Sequence, residues 1–193
     1  MPARVNSDHL TALGFLGMAA AGISYYFAQL TPWAFAAATV CLAINWFGDS
    51  LDGTVARLRD RQRPRYGFYI DHVADAVGAL FLIGGLGLSG YMTGTVAMAL
   101  IIAYFLLSIE LYLATYATGV FHLSFGIWGP TELRVVLAIG NIALMFRSTA
   151  TIAGTRYLLC DVGAVVAIVG ITAVFIVSVI RNTVRLYREE RLP

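Results

Sequence analysis

The chain has 193 residues, 59% of them hydrophobic and only 12% charged, with a mean hydropathy of +0.77 and a net charge of +2. An ordinary soluble domain carries about twice that charged fraction, so lipid rather than water must solvate most of this surface. Two cysteines, Cys41 and Cys160, are too few for a disulfide scaffold, and the polar sequence is too sparse for a disordered chain.

A helix needs ~20 mostly apolar residues to cross ~30 Å of hydrocarbon, and six segments qualify in chain order. The polar stretch Asn6-Ser7-Asp8-His9-Leu10-Thr11 leads into a first span from about Thr11 to Leu30. Asp8 and His9 interrupt what would be the basic region of a leader, so this segment is expected to persist as a span. A second span runs from about Trp33 to Arg57, with a polar last third. A third runs from Phe68 to Gly90 and a fourth from Thr93 to Thr118. The fifth, from Glu132 to Thr151, is the weakest, because Arg134 and Arg147 leave an uncharged stretch shorter than a span. Both arginines are expected to snorkel to opposite interfaces. A sixth runs from Cys160 to Ile180, with Asp161 as its N-cap.

All thirteen basic residues are Arg. With both termini on one side, that side holds Arg4, the five Arg from 57 to 65, Arg134 and the four from 181 to 191, leaving Arg147 and Arg156 opposite. Eleven against two is a strong positive-inside bias. The expectation is an all-α integral membrane protein: a six-helix transmembrane bundle with N- and C-termini cytoplasmic, forming a single domain over residues 1–193. Its basic clusters face anionic lipid head groups, and no nucleic-acid partner is expected.

Four carboxylates stand inside the second and third spans: Asp49 and Asp52 in the second, Asp71 and Asp75 in the third. Each costs roughly 2.5–3.5 kcal/mol at mid-membrane, so four together require a function. Asp49 and Asp52 are i, i+3 and Asp71 and Asp75 are i, i+4, so each pair shares a helix face. The short Arg-rich connection predicts antiparallel neighbouring helices whose carboxylate pairs converge. Such a cluster needs countercharge, and all-oxygen ligation suits Mg²⁺ or Mn²⁺. Two divalent ions sharing the cluster would serve phosphoryl chemistry. Gly53 and Gly67 leave room for a ligand to approach the backbone, and Arg57 offers a planar fork to phosphate oxygens.

Written out, Asp49-x-x-Asp52-Gly53-x-x-Ala56-Arg57, nine residues, then Gly67-x-x-x-Asp71-x-x-x-Asp75 resembles the signature of the CDP-alcohol phosphotransferase family at all eight positions. The N-terminal polar segment resembles the family's short motif before the first span, with Ser7 in place of its usual Pro. The resemblance implies metal-dependent transfer of a substituted phosphate from a CDP-linked donor to an alcohol acceptor, releasing CMP, in phospholipid biosynthesis. By that resemblance Asp49, Asp52, Asp71 and Asp75 hold two divalent ions, and Asp75 also serves as the catalytic base. Gly53, Ala56 and Gly67 would line the cytidine pocket, Arg57 would hold the diphosphate, and Asn6 and Asp8 would be further donor contacts; Arg63, in an Arg run that otherwise reads as a topology anchor, is a further candidate for a donor phosphate. A homodimer is also implied, and the Arg distribution predicts a site facing the cytoplasm, in what is expected to be a bacterial or archaeal cell membrane.

The substrate pair stays open. Asp71-His72-x-x-Asp75 and Gly129-Pro130-Thr131-Glu132 resemble the choline/ethanolamine phosphotransferase branch, whereas phosphatidylglycerophosphate synthases more often show Asp-Pro-x-x-Asp. The alternative is a CDP-diacylglycerol-dependent phosphatidyltransferase acting on glycerol phosphate, serine or an inositol-type acceptor. Glu110, Glu132 and Arg134 are candidate acceptor contacts; a paired structural carboxylate, with Tyr104 or Tyr112 as partner, is the other reading of Glu110. A reading from another class is a membrane cation transporter with the acidic cluster as its ion site.

Overall fold

The computed structural model describes residues 5–119 and 130–190, so Arg4, Gly129 and Arg191 of the sequence reading lie outside the described residues. Six helices follow in order: α1 Ser7–Phe27, α2 Trp33–Leu58, α3 Pro64–Leu88, α4 Gly94–Thr118, α5 Pro130–Phe146 and α6 Leu159–Glu189. Their ends follow local chemistry. Pro64 and Pro130 open α3 and α5, where a missing N–H costs nothing. Gly119, at φ 67°, closes α4 in the left-handed conformation.

Among the described residues, five of the helices are long and apolar enough to cross a membrane, and α5 is not among them. This corrects the six-span expectation. α5 stops at Phe146, and 17 residues give only about 26 Å of helix. The stretch expected to complete it enters a hairpin instead, β1 Thr149–Ile152 antiparallel to β2 Thr155–Leu158. Thr149, Thr151, Ile152 and Thr155 are β-branched and suit strands. Ala153 and Gly154 both adopt positive φ, as a tight hairpin turn requires.

The helices pack in the neighbour order α5, α2, α1, α3, α4, α6. α2 and α3 were expected to be direct neighbours; instead α1 lies against both. Small residues explain this placement. A Cβ at Gly48 would stand 2.5 Å from the Leu10 carbonyl oxygen, and one at Gly17 2.8 Å from the Asn45 nitrogen. A Cβ at Gly22 would stand 2.2 Å from the Phe81 carbonyl, and one at Gly85 2.0 Å from that of Gly22. Backbones therefore touch on both sides of α1, in the manner of small-residue packing between membrane helices. The core, which includes Ala21, Tyr25, Phe35, Leu42, Leu82 and Leu86, fills the half of the bundle away from the carboxylates.

Polar side chains tie the outlying helices down. Tyr25 of α1 donates to Asn141 of α5 at 2.9 Å, and Asn141 donates to Thr39 of α2 at 3.0 Å. Asp161 does not cap its own helix, whose N-cap is Leu158. It accepts from the backbone N–H and hydroxyl of Thr93, at 2.8 and 2.5 Å, and so pins the start of α6 to the start of α4.

Candidate active site

Because α1 sits against both neighbours, the two carboxylate pairs face each other across a cleft rather than across a helix contact. Asp49 and Asp52 from α2 and Asp71 and Asp75 from α3 line it, with Thr11, Gly14, Phe15 and Met18 of α1 and Asn45 of α2. Helical spacing aims each pair into the cleft. Asp71 feels the charges of Asp52, Asp75 and Asp49, and Asp75 those of Asp49 and Asp52. The α2–α3 connection is kept short by Asp60 in the left-handed region at φ 52°, which Asp tolerates better than most residues. Arg61 N–H then closes back onto the Ala56 carbonyl at 3.0 Å.

Two of the four carboxylates have identified partners. Thr11 Oγ1 donates to Asp52 Oδ2 at 2.7 Å, joining residues 41 apart in sequence. Arg134 Nη2 donates to Asp49 Oδ2 at 2.8 Å. Among the described residues no hydrogen bond reaches Asp71, Asp75 or the second oxygen of Asp49. Among those residues, too, no three acidic, histidine or cysteine side chains are drawn together as a ready-made ion cage. The chemistry of the donor set still fits a hard divalent cation, because four carboxylates border one space, and Asp49, Asp71 and Asp75 have oxygens that receive no hydrogen bond among the described residues, whereas both oxygens of Asp52 accept one, from Thr11 and from the Gly53 N–H.

The remaining signature residues lie beyond the lining of this cleft. A Cβ at Gly53 would meet only the Arg57 guanidinium, at 3.5 Å, and one at Gly67 would meet nothing within 4 Å. The approach to the carboxylates is therefore uncrowded. Arg57 is exposed and donates to Thr54 of its own helix at 3.2 Å. Ala56 is half-buried beside it. Asn6 is the N-cap of α1, and its N–H donates to His9 Nδ1 at 3.2 Å. Asp8 forms an ion pair with Arg63, which also stacks over Tyr66 with its guanidinium carbon 4.3 Å from the ring centroid. The Asp8 carboxylate holds the Arg63 pKa above its ordinary value. These residues lash the start of α1 to the α2–α3 connection.

The acceptor candidates separate. Arg134 does not snorkel to an interface: its side chain is 13% exposed, and its guanidinium reaches Asp49 and, through Nε, Asn45 Oδ1 at 2.8 Å. Glu132 is exposed on the first turn of α5. Glu110 is buried and faces α6, where Ser178 and Asn182 donate to its two oxygens at 2.8 and 2.7 Å. Its partners are thus not the tyrosines considered from sequence, and Glu110 is outside the cleft lining. This geometry predicts that Glu110→Gln keeps the acceptor KM within about twofold, whereas Glu110→Leu lowers thermal stability by about 1–3 kcal/mol by orphaning Ser178 and Asn182. Steady-state kinetics beside a thermal melt in detergent separates the two effects. His72 is engaged near its own turn: Nδ1 lies 2.6 Å from the Phe68 carbonyl, and the ring packs on Phe68 and Tyr112.

Two polar residues of the cleft went unassigned from sequence. Thr11 appeared only as the end of a polar segment, and no local pattern joins it to Asp52. Asn45 had a signal: it lies four residues before Asp49, on the same helix face and in the same membrane-embedded segment.

No curated protein matches the chain in a sequence comparison. The family model for CDP-alcohol phosphatidyltransferase matches residues 6–178, from the N-cap of α1 to the Ser178 contact on α6. Enzymes of that family move phosphatidyl or phosphoryl groups from CDP-linked donors to alcohols at membranes, and generally depend on divalent metal. With most of its length matched, the chain belongs to the CDP-alcohol phosphatidyltransferase family and is a transferase of substituted phosphate groups.

Proposed function

We propose that the cleft between α2 and α3 is the catalytic centre, and that it transfers a substituted phosphate from a CDP-linked donor to an alcohol with release of CMP. The observation that carries this reading is the common cleft lined by Asp49, Asp52, Asp71 and Asp75. Those four residues would hold two divalent ions, Mg²⁺ or Mn²⁺, whose charge, when bound, neutralises the donor diphosphate and the departing CMP. Arg57 presents its planar fork to the diphosphate from the last turn of α2. Gly53, Ala56 and Gly67 leave space for cytidine at the uncrowded approach. The acceptor hydroxyl enters the cleft in line with the bond to be broken, and holding it there supplies much of the rate. Asp75 takes the hydroxyl proton as the oxygen attacks the phosphorus bearing the substituent. The bond from that phosphorus to the CMP oxygen breaks, and CMP leaves. The Arg distribution supports a cytoplasmic opening for the site.

The test is CMP release by the full chain in lipid nanodiscs across a panel of substrates. CDP-diacylglycerol is paired with glycerol phosphate, serine, inositol phosphate and inositol. CDP-choline and CDP-ethanolamine are paired with diacylglycerol, the branch toward which His72 and the Thr131-Glu132 pair lean. One pair is expected to give CMP with Mg²⁺ or Mn²⁺ and to fall to background with EDTA. A chain that releases CMP from none of them is not acting as proposed. Cation transport into liposomes without CMP release would favour the transporter reading instead.

A further inference from the structure

Asn45 is 5% exposed and lies one helical turn before Asp49 on α2. Both ends of its side-chain amide are engaged: Nδ2 donates to the Gly14 carbonyl of α1 at 2.9 Å, and Oδ1 accepts from Arg134 Nε at 2.8 Å. The Arg134 guanidinium is therefore divided, with Nε on Asn45 and Nη2 on Asp49 Oδ2. An arginine facing a carboxylate favours two parallel N–H bonds, one to each oxygen, and that fork-to-fork grip is its strongest arrangement. Here the Nε–Nη2 edge is divided between two acceptors, so the side-on grip of Asp49 through that edge is not made. Asp49 is touched through one oxygen, and among the described residues nothing donates to the other.

We infer that Asn45 is a positioning residue: it holds back one arm of Arg134, so that Asp49 is neutralised through a single oxygen and keeps the other open to a divalent cation. The inference rests on the reading of Asp49 as a cation ligand. It gives Asn45 a role that packing alone does not supply, since its contact with α1 could be met by any residue donating to Gly14. Without the Oδ1 acceptor, the guanidinium is released to turn both arms onto Asp49. The ligand is then withdrawn from the cation even though its charge is unchanged.

The test is Mn²⁺ binding to the purified full chain in nanodiscs without substrate, read from the electron paramagnetic resonance signal of free Mn²⁺. Asn45→Ala is expected to weaken binding about tenfold, in the range that loss of an orienting partner costs a metal site. The double variant Asn45→Ala/Arg134→Gln is expected to bind as Arg134→Gln alone does, because no arginine remains to close on Asp49. Unchanged affinity in Asn45→Ala overturns the inference, and so does equal weakening with and without Arg134, which would mark Asn45 as structural. If Asn45→Ala does not fold, Asn45→Asp keeps an acceptor for Nε in nearly the same volume. It is expected to bind Mn²⁺ at least as tightly as the native chain, and weaker binding overturns the inference. A native chain that binds no Mn²⁺ overturns the cation reading of Asp49 itself, and the inference with it.

Discussion

Asp75→Asn is expected to bind a CDP-linked donor about as well as the native chain and to lose turnover by about 10²–10⁴-fold, the usual contribution of a positioned general base. The substitution keeps the size of the side chain and its place on α3 but removes the proton acceptor. The geometry gives the prediction its sharpness. Among the described residues Asp75 receives no hydrogen bond, so its carboxylate is not committed to a structural partner as Asp52 is to Thr11. Three further acids line the same cleft, and they keep donor affinity from depending on Asp75 alone. Donor binding by calorimetry and single-turnover CMP release on the same preparation make the comparison. Near-native turnover in Asp75→Asn removes Asp75 from the base role, while joint loss of binding and turnover makes it a ligand only.

The second large effect is structural. Gly22→Leu is expected to destabilise the bundle by roughly 3 kcal/mol, at the upper end of ordinary overpacking, and to leave little folded protein in detergent. The Cβ alone would lie 2.2 Å from the Phe81 carbonyl oxygen, which is rigid helix backbone and cannot swing aside. Relief requires α1 and α3 to separate, and that opens the cleft they share. Gly84→Ala is the control one residue from the matching contact at Gly85. Nothing lies within 4 Å of its added methyl, so it is expected to be neutral or to gain up to about 1 kcal/mol of helix propensity. Thermal melts of the two variants in one detergent check the pair, and equal melting temperatures would refute the close-contact account.

The membrane class and the residues of the signature were readable from sequence for one physical reason. An ionised group in hydrocarbon is costly, and helical spacing tells which of these groups share a face. What sequence did not convey was the third helix of the site. The contacts of Gly14, Gly17 and Gly22 come from the absence of side chains, which leaves no periodic signal, so α2 and α3 were paired directly and α1 was overlooked. Arg134 was read as an interfacial anchor by the rule that charges seek water. Its partners, Asn45 and Asp49, lie 89 and 85 residues away. For Asp161 a local capping rule lost to a contact 68 residues away. The hairpin after α5 is a different case. Its β-branched residues around Ala153-Gly154 are visible in the sequence, but they also continue the apolar run that follows Glu132.

The two ties on α6 have a consequence for the bilayer. Asp161 fixes one end of this helix to Thr93, and Ser178 and Asn182 fix it to Glu110 near the other. From Asp161 to Arg181 the helix runs about 30 Å at 1.5 Å per residue, close to the hydrocarbon thickness of an average membrane. This stretch of α6 thus acts as a strut of set length, fastened to α4 near both of its ends. A thinner or thicker bilayer cannot shorten or stretch it and must adapt around it at a modest cost per ångström of mismatch. Through α4 and α3 that strut carries over to the helix of Asp71 and Asp75, so the spacing between those carboxylates and the ties on α6 is set by the protein rather than by the membrane around it.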